Sequence, residues 1–205
     1  MKAIFATLLI LCSCASTQKH EDTPLVATAR DYAPLAIGKS WTYQAWWTGQ
    51  KGEMTINVVK EEDGYLIDDK GGEFRFTQDG LRDKKRYLIR HPLTAGASWQ
   101  TVVSASAVEH NKIVSVGERC ECAAGSFPDC LVVESTIRQN AKVSIVITWT
   151  WARGVGLVKF ETEAEIAGQG RVPQVKNSLI RYGSASDKAP EKPKDGEGAP
   201  DSWTR

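Results

Sequence analysis

A chain of 205 residues, 41% of them hydrophobic, carries enough apolar material for one domain with a full core. Its 26 Lys and Arg are offset by 25 Asp and Glu. No net field gathers nucleic acid or an anionic surface, which argues against nucleic acid as a partner.

Met1 and Lys2 precede an apolar run from Ala3 to Leu11, the charged-then-apolar order of a secretory signal. The run is too short to span a bilayer. Leu11-Cys12-Ser13-Cys14 follows, and the segment resembles bacterial lipoprotein signals, with Leu11 three places before the cysteine and Ser13 directly before it. The resemblance implies a signal peptide over residues 1–13, cleavage after Ser13, and acyl chains such as palmitate on the mature terminus at Cys14. Cys12 fits less well, because bulky Leu11 precedes it where a small residue is required. Several chains on one residue sum their buried methylenes into a stable anchor. Ala15 rather than Asp follows Cys14, which in the family's sorting rule implies the outer membrane of a cell that has one. The alternative is an ordinary signal cut near Ala15 or Ser16, leaving a secreted protein.

Residues 14–30 are mostly polar, contain Pro24 and lack an apolar period, so a flexible tether is expected there. A β domain is expected over 31–183. It opens with Pro34-Leu35-Ala36-Ile37-Gly38-Lys39-Ser40-Trp41, a phrase that returns as Pro92-Leu93-Thr94-Ala95-Gly96-Ala97-Ser98-Trp99. In each, glycine supplies a turn that a side chain would block and proline fixes the approach. The pair reads as one corner used twice to enter a sheet.

After Trp41 the period is two residues: Trp41, Tyr43 and Ala45 alternate with Thr42 and Gln44, and Met54, Ile56 and Val58 alternate with Thr55 and Asn57. Turn signals at Gly49 to Gly52, Glu62-Asp63-Gly64, Lys70-Gly71-Gly72 and Gln78-Asp79-Gly80 separate the runs into a meander of hairpins. The second half continues with strands from Trp99 to Val103, Val108 to Val116 and Glu118 to Cys122. A loop is expected over 123–129, then strands from Cys130 to Arg138 and Val143 to Trp151. A tight turn at Gly154-Val155-Gly156 leads into a further strand, and Ser178 to Tyr182 is read as the last. Residues 184–205 are rich in Ser, Lys, Pro, Glu and Asp, and cannot bury enough surface to offset their ordering entropy, so a disordered tail is expected.

Three phrases carry a second resemblance: Tyr32-Ala33-Pro34-Leu35 with Gly38 and Trp41-Thr42-Tyr43; Ala124-Gly125-Ser126-Phe127 with Asp129-Cys130-Leu131-Val132-Val133-Glu134; and Trp151-Ala152-Arg153-Gly154-Val155-Gly156-Leu157-Val158-Lys159. Together they resemble a group of uncharacterised bacterial lipoproteins and secreted proteins. This chain departs from the group in having Ala123 where proline is common and in placing Cys120 and Cys122 before the loop. The resemblance implies an antiparallel sheet curled into a half-barrel or barrel. Fold does not assign function.

Once Cys12 is removed and Cys14 acylated, Cys120, Cys122 and Cys130 remain, in a chain expected in an oxidising space. Cys-x-Cys lacks redox-motif spacing and no fourth ligand is near in sequence, so neither thioredoxin-like chemistry nor metal is expected. A cross-strand bridge from Cys122 to Cys130 is expected, with Cys120 to Cys130 as the alternative. His20 lies in the tether, His91 precedes a turn proline, and His110 is placed at a hairpin; none accompanies a nucleophile motif. Gly154-Val155-Gly156 opens a strand, so it is no dinucleotide fingerprint. Of the seven tryptophans, Trp41, Trp99, Trp149 and Trp151 read as core. Core is the preferred reading of the tryptophans; the alternative is that Trp46 and Trp47, which point to opposite faces, leave one indole for a cavity or partner. The basic run Arg82, Lys84, Lys85 and Arg86 reads as a solvated edge that discourages sheet pairing.

The expectation is an all-β, lipid-anchored envelope protein with neither cofactor nor enzyme activity, holding an apolar ligand on the concave face of its sheet. A structural envelope protein that binds a protein partner is the alternative, and a hydrolase without a recognisable motif is a weaker one. Sequence alone identifies no ligand-binding residue.

Overall fold

The computed structural model describes residues 27–47 and 49–184. The signal segment, Cys14, the tether up to residue 26 and the tail from residue 185 lie outside the described residues. Residues 27–30, read from sequence as tether, belong to the folded body. Thr28 caps a short helix α1 (Ala29–Tyr32) through a capping box with Asp31, and Ala29 and Tyr32 are buried. Asp31 accepts the Thr28 N–H and hydroxyl at 2.7 and 2.9 Å, and the backbone N–H above all holds its carboxyl below the usual range.

Twelve antiparallel strands follow: β1 (Lys39–Trp47), β2 (Gln50–Glu62), β3 (Tyr65–Asp68), β4 (Glu73–Thr77), β5 (Gly80–Arg82), β6 (Tyr87–Arg90), β7 (Ser98–Ser104), β8 (Ala107–Cys122), β9 (Gly125–Arg138), β10 (Val143–Ala152), β11 (Gly156–Ile166) and β12 (Gly170–Ser184). The expected all-β class holds. Their order is β6-β5-β4-β3-β2-β1-β12-β11-β10-β9-β8-β7. Each strand pairs with the next in the chain except β6 with β7, which stand at the two ends of the sheet, and β1 also joins β12 along all of its residues. Side chains bridge that seam. The Trp99 indole N–H donates to the Tyr87 carbonyl at 3.2 Å, and Arg86 reaches Glu109 on β8 at 2.8 Å. The sheet is a nearly closed barrel with one open seam.

The duplicated corner is real in three dimensions. Gly38 and Gly96 have φ of 82° and 89°, a left-handed conformation that glycine adopts without a steric penalty. The Gly38 N–H donates to Val58 O, and the Gly96 N–H to Ile113 O, both at 2.8 Å. Lys39 N–H to Ala36 O and Ala97 N–H to Thr94 O close equivalent turns. Each corner then delivers a buried tryptophan, Trp41 or Trp99, into the first strand of a six-strand half.

Two differences from the sequence reading stand out. The stretch 123–129 is not a loop, because only Ala123 and Ala124 turn and β9 begins at Gly125. Pro128 is accommodated because the β8–β9 ladder slips between Glu118 and Cys120, so the missing N–H meets no partner there. The final strand is also longer than Ser178 to Tyr182: β12 starts at Gly170, and Pro173 lies beside a register shift opposite Glu163.

Strand directions place the two corners, α1 and the β10–β11 turn at one end of the barrel, and the β1–β2, β7–β8, β9–β10 and β11–β12 turns at the other. At the first end Tyr32 and Ala33 pack with Leu81, Ile89, Leu131 and Trp151. The Tyr32 hydroxyl donates to Asp129 Oδ1 at 2.6 Å, and burial, with that carboxylate adding, pushes the phenol well above its ordinary range. Arg153 approaches Asp129 Oδ2 at 3.3 Å, and the Gly154 N–H donates to Asp31 O at 2.7 Å. This end is closed.

Candidate functional site: the open mouth of the barrel

Cross-strand partners share a face of the sheet, so the ladders define rows of side chains across the inner surface. A row midway along the barrel runs Ile113, Val133, Trp149, Phe160, Asn177, Ala45, Gly52. Toward the far end follow Asn111, Ser135, Ile147, Thr162, Val175 and Trp47, then Glu109, Ile137, Ile145 and Ala164. Burial is uneven along these rows: Glu109 and Ile147 are buried toward the far end and Trp149 is partly covered further in, but several apolar side chains lose cover toward that end. Ile113, Val133 and Ala45 are buried, whereas Trp47, Ile137, Ile145, Ala164 and Val175 are only partly covered. The concave face thus ends in an apolar mouth remote from α1.

Trp47 and Trp149 frame this mouth. The ring of Trp47 lies over Gly52, where a Cβ would come within 3.0 Å of the indole, and its N–H donates to Gln50 Oε1 at 3.1 Å. Trp46 and Trp47 do point to opposite faces, as alternation requires, and Trp47 is the inner one. Trp149 packs against Phe160, with centroids 4.6 Å apart, and stacks beside Trp151 at 6.3 Å; the Arg86 guanidinium stands 5.6 Å from its ring centre.

One wall carries a polar inlay. Glu109 is fully buried and pairs through Oε1 with Arg86, whose Nε lies 3.5 Å from Asp83. Beside it the Ser135 hydroxyl donates to Asn111 Oδ1 at 2.5 Å. Glu109 Oε2 and Asn177 Oδ1 are buried without a protein partner. Sequence reasoning missed this group: on β8 Glu109, Asn111 and Ile113 alternate with Val108, His110 and Lys112, so neither face reads as apolar.

The cysteines form a different pair from the one expected. Cys120 and Cys130 are bridged, and Cys122 is a free, partly buried thiol, which corrects the expected Cys122–Cys130 bridge. Register explains the choice. Cys122 pairs with Gly125 at the hairpin tip, five residues along β9 from Cys130, or roughly 17 Å at ~3.4 Å per residue. Cys120 pairs with Phe127, and the slip that sets Cys130 opposite Glu118 brings the two cysteine Cα atoms to 6.0 Å. All three pack with Trp41 and Tyr43. Burial above all, then Cys122 and Asp68, pushes the Tyr43 phenol far above its ordinary range.

His110 lies within β8 rather than at a hairpin, on the outer face, beside an open groove of about 480 Å³ formed with Ser106, Val108 and residues 138–141. His91 immediately follows β6. Among the described residues no group of three His, Cys, Asp or Glu side chains could hold a metal ion. Arg82 and Arg86 do not form a simple solvated edge: Arg82 packs over Tyr87, and Arg86 points inward to Glu109.

No family model matches the chain, and no curated protein matches it. Two solved structures are similar to it. One, from Bacteroides fragilis, bears the name "putative exported protein with YmcC-like fold"; it is 12% identical, with 75% of this chain and 99% of that one covered and a TM-score of 0.41. The other, a "putative lipoprotein" from Parabacteroides distasonis, is 13% identical, with 74% and 98% covered and a TM-score of 0.42.

Proposed function

We propose that this protein is a non-catalytic binding module of the cell envelope, anchored to the outer membrane by lipid on Cys14, and that it takes an apolar or amphiphilic ligand at the open mouth. The anchoring rests on the signal-like order Leu11-Cys12-Ser13-Cys14. The binding reading rests on one observation: the inner face is sealed by α1 at one end, while at the other Trp47, Ile137, Ile145 and Val175 stay partly uncovered. Small-molecule sites are concave, mainly apolar and marked by a few placed polar groups. Arg86, Glu109 and Asn177 supply those groups.

Native mass spectrometry of the full-length protein, extracted from cells in mild detergent, tests both parts. The expected spectrum shows acyl mass on the N-terminal peptide and a further non-covalent amphiphile that is lost in Ile145→Glu. An unacylated N-terminus removes the anchor, and absence of the non-covalent adduct in folded wild-type protein removes the binding site.

A further inference from the structure

Glu109 is fully buried, and its Oε2 has no hydrogen-bond partner among the described residues. Its neighbouring donors are engaged elsewhere. Arg86 Nη1 takes the other oxygen, Oε1, at 2.8 Å, while Arg86 Nε lies 3.5 Å from Asp83, so one guanidinium serves two carboxylates. The Asn111 side-chain amide donates to the Glu109 backbone carbonyl at 3.5 Å, and the Ser135 hydroxyl donates to Asn111 Oδ1 at 2.5 Å. A buried acceptor left in this state costs free energy that a donor arriving with a ligand would recover. Asn177 Oδ1 is a second such atom, buried on β12 in the inward row with Ala45 and Phe160. The third, Trp151 Nε1, belongs to the cluster that packs the sealed end. Both unpartnered atoms outside that cluster are therefore acceptors. Glu109 also shares its row with Ile137, Ile145 and Ala164, which stay partly uncovered, so a chain lying against them carries its head to the same level of the barrel.

We infer that the ligand of the mouth is an amphiphile whose head donates hydrogen bonds and carries no negative charge, a hydroxyl or an ammonium, with Glu109 Oε2 as its acceptor. Such selection presupposes ligand binding at the mouth, as proposed above, and fixes the head group that binding favours. Paired with a guanidinium, the Glu109 carboxylate only accepts, so a head that likewise only accepts gains nothing from Oε2. Charge points the same way. Glu109 and Asp83 share the single charge of Arg86, which leaves the group net negative and disfavours an anionic head.

Native mass spectrometry of the full-length protein in mild detergent, with decanol, decylammonium and decanoate added in equal amounts, reads the selection as a ratio of adducts. Wild type should carry the alcohol and the ammonium about tenfold more than the carboxylate. In Glu109→Gln the amide oxygen must face Arg86, since its NH2 would meet another donor there, and the NH2 then stands in place of Oε2. That variant should shift the alcohol-to-carboxylate ratio about tenfold toward the carboxylate. Partition into micelles cancels, because both proteins are read in the same detergent. Should Glu109→Gln not fold by circular dichroism, Arg86→Met with Glu109→Leu takes its place, and there the alcohol should lose most of its advantage. Equal adducts of the three heads on wild type, or a ratio unchanged in the variant, overturn the head-group assignment while leaving the mouth as a binding site. No adduct of any head removes the mouth itself, and the assignment with it.

Discussion

Arg86→Met tests how the open seam is held. In the folded protein the guanidinium pairs at 2.8 Å with Glu109, a carboxylate with no exposure at all, and it is that carboxylate's one ion-pair partner among the described residues. Removing one member of a buried pair costs about 3–5 kcal/mol, because the other charge is left without compensation. The Arg86 side chain keeps 22% of its surface in water, which places the loss toward the lower end, at about 3 kcal/mol including the contact with Trp149. That corresponds to more than a hundredfold in the folding equilibrium. Replacing both residues, Arg86→Met with Glu109→Leu, removes the stranded charge and should bring stability back to within about 1 kcal/mol of wild type. Urea unfolding followed by tryptophan emission measures all three variants, and the double-mutant cycle should give a coupling of about 2 kcal/mol. If Arg86→Met lies within about 0.5 kcal/mol of wild type, or the two changes simply add, the guanidinium does not bridge the seam.

Gly156→Ala should destabilise the protein by about 2–4 kcal/mol, because φ is +116° and the new Cβ would lie 2.8 Å from Trp41 Nε1, which donates to Val155 O. Gly154→Ala, with φ of +74° and open space around it, should cost only about 1 kcal/mol; equal losses in thermal melts would contradict the packing of Trp41. Cys130→Ser should lower stability by about 2.5 kcal/mol through loss of a bridge spanning 10 residues, whereas Cys122→Ser should leave a Cys120–Cys130 peptide in a non-reducing digest. A Cys122–Cys130 peptide in wild-type protein would overturn the register. Burial raises the Asp68 carboxyl in the folded state despite N–H donors from Gly72 and Lys70. Protonation therefore favours folding: the contribution is full below about pH 4 and is lost as pH rises through the raised folded value. Asp68→Asn keeps an acceptor and carries no charge, so it should exceed wild type in stability at neutral pH and lose that advantage in acid. A constant difference across the range would assign the shift to another group.

Much of the barrel was legible from local signals. Alternation around Tyr43, Ile56 and Ile147, punctuated by glycine turns, prescribes hairpins, and the duplicated Pro-Leu-Gly-Ser-Trp phrase marks both first strands. What escaped depends on register, which a sequence leaves open wherever a ladder slips. Counting along β8 and β9 does not reveal the slip between Glu118 and Cys120 that selects Cys120 over Cys122. The extent of β12 was hidden because Pro173 and the polar run before Asn177 look like loop. Trp47 was legible as one of two opposed indoles. Arg86 and Glu109 were not, since their meeting depends on closure of the sheet across β6 and β7, a contact between neighbours in space that share no ladder.

Quenching of tryptophan emission by a bromine-labelled fatty acid tests the mouth most directly, since bromine quenches only at contact and Trp47 and Trp149 stand where the acyl chain would lie. Saturable quenching in the wild type, most of it lost in Trp47→Phe/Trp149→Phe, is the expected result. Quenching that never saturates, or that persists undiminished in the double variant, would contradict a ligand on the inner face.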